Sequence, residues 1–172
     1  LIEAARIFGT VLVQEAEFEQ IAREVTQDVT EKDGGISYDP DQLLADAREM
    51  AGKDKALLGL IKRTEKEIEE ASHATRGVVG GAQYVEDVVY ANSSVSYRVK
   101  CWGGEVTEVL LVGDHDTDLD LYIYDEDDNL ITSDTDYTDV CVCRWIPAWT
   151  GYFVIKIVNR GDVYNAFALA TN

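Results

Sequence analysis

The sequence predicts an α+β chain organised by segment, with a helical N-terminal region followed by an antiparallel β-sandwich. Three observations lead there. Apolar residues recur at helical spacing over residues 1–76, and they alternate with period two after about residue 83. Gly77, Gly80 and Gly81 stand between the two regimes as a boundary. The chain has 172 residues, 46% of them hydrophobic, which is enough to bury a sizeable core and excludes global disorder.

The first helical stretch is read from Leu1 to Val29. Leu1, Ala4, Phe8, Val11, Phe18, Ala22, Val25 and Val29 form its apolar stripe, and Gly34-Gly35 stops it. A second helix restarts at Asp39-Pro40-Asp41-Gln42, with Asp39 as N-cap, Pro40 in the first helical position and Gln42 as the reciprocal cap. Gly52 marks a break, and Asp54 is the next cap. Leu57, Leu58, Ile61 and Ile68 then line one side of a helix from Lys55 to about Thr75, opposite Lys62, Glu65, Lys66, Glu67 and Glu69. Two or three amphipathic helices of this kind need a partner for their apolar faces.

Val95, Tyr97, Val99 and Cys101 alternate with Ser96, Arg98 and Lys100, the pattern of a half-buried strand. Further strands are expected at Val106–Val112, Leu119–Tyr124, Leu130–Ser133, Val140–Trp145, Tyr152–Val158 and Tyr164–Ala170, with another at Gln83–Tyr90. Gly103-Gly104, Asp127-Asp128-Asn129 and Arg160-Gly161-Asp162 supply turns. Short strands at this spacing with no helices between them make an antiparallel sandwich or barrel over residues 83–172.

Charge narrows the function. Lys plus Arg number 15 against 33 Asp plus Glu, a formal charge of −18. Nucleic acids and anionic membranes call for a basic footprint, so neither is expected as a partner. No apolar run approaches the roughly 20 residues of a membrane span. The opening Leu1-Ile2-Glu3-Ala4 has neither an initiator Met nor a signal pattern, and reads as a trimmed or mature form.

The densest acidic stretch lies between Asp114 and Asp139, where no Lys or Arg intervenes. One reading is a solvated acidic face that favours solubility. Strand geometry offers another. With the hairpin tip at Asp125–Asn129, Tyr124 lies opposite Leu130, Asp120 opposite Ser133–Asp134, and Asp118 opposite Asp136, while Leu119, Leu121 and Ile123 face the core. Like charges facing each other need a neutralising group. Asp114, Asp116, Asp118, Asp120, Asp134, Asp136 and Asp139 are therefore candidate ligands for calcium, which takes six to eight oxygens.

Other candidates carry a simpler reading beside the functional one. Cys141 and Cys143 share a strand face about 6.5–7 Å apart, poorly placed for a mutual bridge. Cys101 can pair with either, or all three can be small buried hydrophobes. His115 between Asp114 and Asp116 has no recognisable nucleophile beside it, and His73 suits a helix C-terminus. Trp102, Trp145, Trp149, Tyr152 and Tyr164 could form an aromatic platform or serve as core and turn packing. No phosphate loop, Gly-x-Ser-x-Gly elbow or His-Glu-x-x-His helix is present.

Two runs carry a family resemblance. Gly113-Asp114-His115-Asp116-Thr117-Asp118-Leu119-Asp120-Leu121-Tyr122-Ile123-Tyr124-Asp125 resembles the core of bacterial pre-peptidase C-terminal domains. Trp149-Thr150-Gly151-Tyr152-Phe153-Val154-Ile155-Lys156-Ile157-Val158-Asn159-Arg160-Gly161 does so too. The resemblance runs from about Gln83 to Asn172 and implies a jelly-roll-like sandwich similar to collagenase collagen-binding modules. It implies a non-catalytic, secreted or periplasmic domain that binds calcium or a polymer. The expectation is thus a binding or accessory protein for an unidentified protein or polymer. Its rivals are a calcium-dependent adhesion module for polysaccharide or collagen, a hydrolase with paired carboxylates, and a helical scaffold.

Overall fold

A computed structural model describes residues 18–24, 40–71 and 77–172. Its elements, in order, are β1 (Glu19–Glu24), α1 (Pro40–Ala51), α2 (Lys55–Ala71), β2 (Tyr84–Val89), β3 (Ser94–Cys101), β4 (Thr107–Gly113), β5 (Leu119–Tyr124), β6 (Leu130–Asp134), β7 (Val140–Trp145), β8 (Gly151–Asn159) and β9 (Asn165–Thr171). The strands form two antiparallel sheets, one of five strands in the order β1-β3-β8-β5-β6 and one of four in the order β2-β9-β4-β7. Strands β2 to β9 alternate between the sheets except at the β5–β6 hairpin, which stays within one, the arrangement of the eight strands of a jelly roll, with β1 added beside β3.

Alternation sets the core. Val95, Tyr97, Val99 and Cys101 of β3, Leu119, Leu121 and Ile123 of β5, and Phe153, Ile155 and Ile157 of β8 point inward. They meet Val109, Leu111, Cys141, Cys143, Phe167 and Leu169 of the opposite sheet. All three cysteines are buried free thiols, with no disulfide among them.

The four-stranded sheet is buried on both faces. Leu110, Val112, Ala168 and Ala170 point outward from it and are covered by Leu44, Ala47 and Ala51 of α1 and Ile61 of α2. Small alanines on β9 let the helices approach. Asp54 caps α2 as expected, its Oδ1 accepting from Ala56 N at 2.8 Å and Leu57 N at 3.2 Å. Gly52 ends α1 with a φ of +52°, the left-handed conformation that glycine adopts without a Cβ clash. Arg48 and Glu65 form an ion pair between the two helices.

Residues 19–24 correct the helical reading of the first segment, and with it the expectation that every strand follows residue 83. They pair antiparallel with β3, from Glu19 opposite Arg98 to Glu24 opposite Ser94, through an irregularity between Gln20 and Ala22. The spacing of Phe18, Ala22 and Val25 suits a helix, but an isolated helix would leave its apolar stripe without a partner, whereas pairing with the edge of β3 brings Phe18 into the core. Phe18 enters the core edge-to-face on Tyr97, at 5.7 Å and 64°. Arg23 reaches the other sheet, bonding Val88 O at 2.7 Å and Asp87 Oδ2 at 2.5 Å. The rest of the expected first helix, Gly34-Gly35, the Asp39 cap and His73 lie outside the described residues.

A second correction concerns register. Tyr124 does lie opposite Leu130, but an irregularity follows, so Ile123 faces Thr132 and Leu121 faces Asp134. The extra residue in β6 shifts everything beyond it by one. Asp134 is thereby turned from Asp120 towards the sandwich edge, where its Oδ2 accepts from Val142 N of β7 at 2.9 Å.

Candidate functional site

The loops β4–β5 and β6–β7 meet at one end of the sandwich around an open cleft of about 580 Å³, lined by His115, Asp116, Asp118, Tyr137, Thr138 and Asp139. Gly113 allows the tight approach. A Cβ there would lie 2.5 Å from Asn165 Oδ1 and 2.6 Å from Asp139 Oδ2. Asp139 accepts from the backbone N–H of His115 and from its ring Nδ1, the latter at 2.8 Å. His115 itself has a φ of +69°.

Each carboxylate of the acidic stretch has its own situation. Asp114 accepts from Ala166 N at 3.0 Å and Asp116 N at 3.2 Å, so it ties the loop to β9. Asp136 accepts from the backbone N–H and hydroxyl of Thr138 in a local turn. Asp116 is exposed in the cleft. Asp120 is buried and paired with Arg160 Nε at 2.5 Å. Asp118 stands apart, because its Oδ1 is buried with no hydrogen-bond partner. Loss of hydration raises its pKa, and the charges of Asp120, Asp136 and Asp139 push it the same way, against Arg160. Among the described residues, no three His, Cys, Asp or Glu side chains are grouped as metal ligands.

A second arrangement lies on the outer face of the five-stranded sheet. Inward Leu119, Leu121 and Ile123 force Asp120, Tyr122 and Tyr124 outward by period two. Tyr122 donates its hydroxyl proton to Asp120 Oδ2 at 2.9 Å and accepts from Arg160 Nη2 at 3.0 Å. Burial and Asp120 raise the Tyr122 pKa, partly offset by Arg160. The Tyr122 and Tyr124 rings lie 6.3 Å apart, within 23° of parallel. With Glu24, Ser94, Lys156 and Arg160 they line a groove of about 360 Å³. Further along the face, Arg98 sits over the Tyr152 ring at 4.8 Å.

The acidic run carries no signal for this face. The alternation that placed Leu119 and Leu121 inside also places Tyr122 and Tyr124 outside together. Arg160 is contributed by the turn after β8, which no local pattern links to Asp120. Of the two readings of the tryptophans, core and turn packing describes Trp145 and Trp149. Trp145 is buried against Phe153 at 5.8 Å and Trp149 stacks on the same ring at 5.9 Å. Only Trp102 and Tyr152 join Trp149 in being exposed.

No family model matches the chain, and no curated protein matches it. Among solved structures, the chain is similar to the pre-peptidase C-terminal domain of a Bacillus anthracis collagenase, with 7% identity over 52% of this chain and 88% of that one and a TM-score of 0.45. It is also similar to the Yersinia pseudotuberculosis-derived mitogen, with 12% identity over 54% and 85% and a TM-score of 0.43. A third is PliG, a periplasmic inhibitor of g-type lysozyme from Aeromonas hydrophila, with 9% identity over 53% and 84% and a TM-score of 0.41. Among the described residues no helix is long and apolar enough to cross a membrane.

Proposed function

We propose that this chain is a non-catalytic, extracytoplasmic binding module that takes an extended ligand on the outer face of its five-stranded sheet. One observation carries the reading. The outer face of the four-stranded sheet is covered by α1 and α2, while no described element covers the outer face of the five-stranded sheet, which holds a preorganised Asp120–Tyr122–Arg160 network beside Tyr124. A groove with aromatic walls and a few fixed polar groups is the usual form of a ligand site. Backbone ¹H–¹⁵N spectra test it. Mixing with candidate polymers is expected to shift residues 120–124 and 154–160. Shifts confined to the helices or the acidic cleft would overturn it.

A calcium ion at the acidic cleft is the second reading, favoured by the buried and unbonded Oδ1 of Asp118. Asp114, Asp120, Asp134, Asp136 and Asp139 already hold other partners, so the donor left unbonded is Asp118, with Asp116 exposed in the same cleft and Asp139 able to join only through lone pairs that His115 leaves free. Calcium accepts such an irregular oxygen set, whereas magnesium demands a stricter one. At free calcium a hundredfold above its Kd, stability should rise by about 2.7 kcal/mol. The Asp118→Asn variant should lose most of that rise. A melting temperature indifferent to millimolar calcium overturns this second reading and leaves the first standing.

A further inference from the structure

Resting on the binding-module reading, we infer that the ligand of the open sheet face is an uncharged sugar chain lying across the strands. The register builds the face in rows. Ser96, Lys156 and Tyr122 are cross-strand neighbours, and so are Arg98, Val154 and Tyr124. Ser133 and Leu130 on β6 extend the two rows. Each row thus sets one tyrosine ring and one cation among hydroxyl or aliphatic neighbours at the strand spacing of about 4.8 Å, comparable to the advance of one pyranose ring along a β-linked chain.

Charge selects the ligand class. The whole chain carries −18, yet this face holds Arg98, Lys100, Lys156 and Arg160 against Glu19, Glu24 and Asp120. The opposite charges are matched to one another. Arg98 pairs with Glu19 at 2.6 Å, Arg160 with Asp120 at 2.5 Å, and Lys156 lies 3.9 Å from Glu24. Lys100 sits over the Tyr152 ring at 5.6 Å. An anionic polymer would have to compete with these carboxylates for every paired cation. A neutral polyol does not compete, because its hydroxyls can add to the unused donors and lone pairs while the pairs persist. The C–H faces of its rings suit the electron-rich faces of Tyr122 and Tyr124. The buried Asp120 holds both Tyr122 and Arg160 in place before any ligand arrives, so little side-chain freedom remains to be lost.

Titration of the full chain with cello-, xylo- and galacto-hexaoses tests this, with heparin and a triple-helical collagen-type peptide as rival probes. One neutral series is expected to shift amides 120–124 and 154–160 saturably, with an affinity that added salt leaves unchanged. Tyr124→Ala should weaken that binding about tenfold while keeping its melting temperature. Tyr122→Phe, which retains the ring, should weaken it less. Saturable binding of heparin or the peptide on this face, without a sugar response, overturns the ligand class and spares the module reading. Silence of the face towards all the probes overturns both.

Discussion

Asp118 is the residue at which the electrostatics of the acidic stretch concentrate. Its pKa is raised in the folded chain, so its contribution to stability is complete below about pH 4, the ordinary aspartate value, and is lost as pH rises through the higher folded value. Asp118→Asn should therefore stabilise the calcium-free protein at neutral pH, and the gain should shrink to nothing in acid. Thermal melts at pH 3 and pH 7 check this, and a gain of equal size at both would contradict it. The cysteines offer a second test. Burial pushes the Cys101 and Cys143 thiols up to about 12, and Cys141 is shifted in the same direction. Thiolate is the reactive form, so none of the three should react with Ellman's reagent at pH 8 until the chain unfolds. Rapid stoichiometric modification of Cys101 in the native protein would show that β3 does not turn it inward. That inward phase was readable from alternation with Val95, Tyr97 and Val99.

At the scale of elements, β1 is the piece that sequence periodicity concealed. Phe18 is buried against Tyr97, and Arg23 joins the edges of both sheets through Asp87, which also accepts from the Tyr97 hydroxyl at 2.6 Å. Phe18→Ala should lower stability by about 3 kcal/mol in urea unfolding. A change below about 0.5 kcal/mol would mean that β1 contributes no packing. The strands of the sandwich were legible because each alternates within itself: β5 is Leu119–Tyr124 and β7 is Val140–Trp145, as their own patterns require. The caps of the helix pair were legible for the same reason, since Gly52 and Asp54 act on adjacent backbone. What eluded the sequence depends on neighbours. Whether residues 19–24 are helix or strand is decided by a vacant edge more than seventy positions away in the chain. The extra residue opposite Ile123 and Tyr124 arises where strands pair, and it moved Asp134 off the partner foreseen for it. The groove needs β5, β8 and the turn after β8 together, which no single window contains.

For the molecule as a whole, helices and sandwich share one packing interface through Leu44, Ile61, Leu110 and Ala168. They should therefore unfold together. Ile61→Ala, at a fully buried position, should cost about 3 kcal/mol and lower the helical far-UV signal and the tryptophan signal in one coincident transition. Two separated transitions would show that the helix pair is an independent appendage. The same layering places both described helices on the four-stranded sheet, so among the described residues no helix lies on the outer face of the five-stranded one.

The position of β9 between β2 and β4 bears on how the protein is made. It supplies Ala168 and Ala170, on which the helices rest, and it is synthesised after every other element. At 5–20 residues per second, roughly five to twenty seconds separate completion of α2 from the arrival of its platform. Throughout that interval the helix pair has at most Leu110 and Val112 of β4 to cover but lacks Ala168 and Ala170, and β2 has no strand to pair with. Nascent chains arrested before residue 165 should thus be clients for holding chaperones and quick targets for proteases, and synthesis past residue 171 should end both at once.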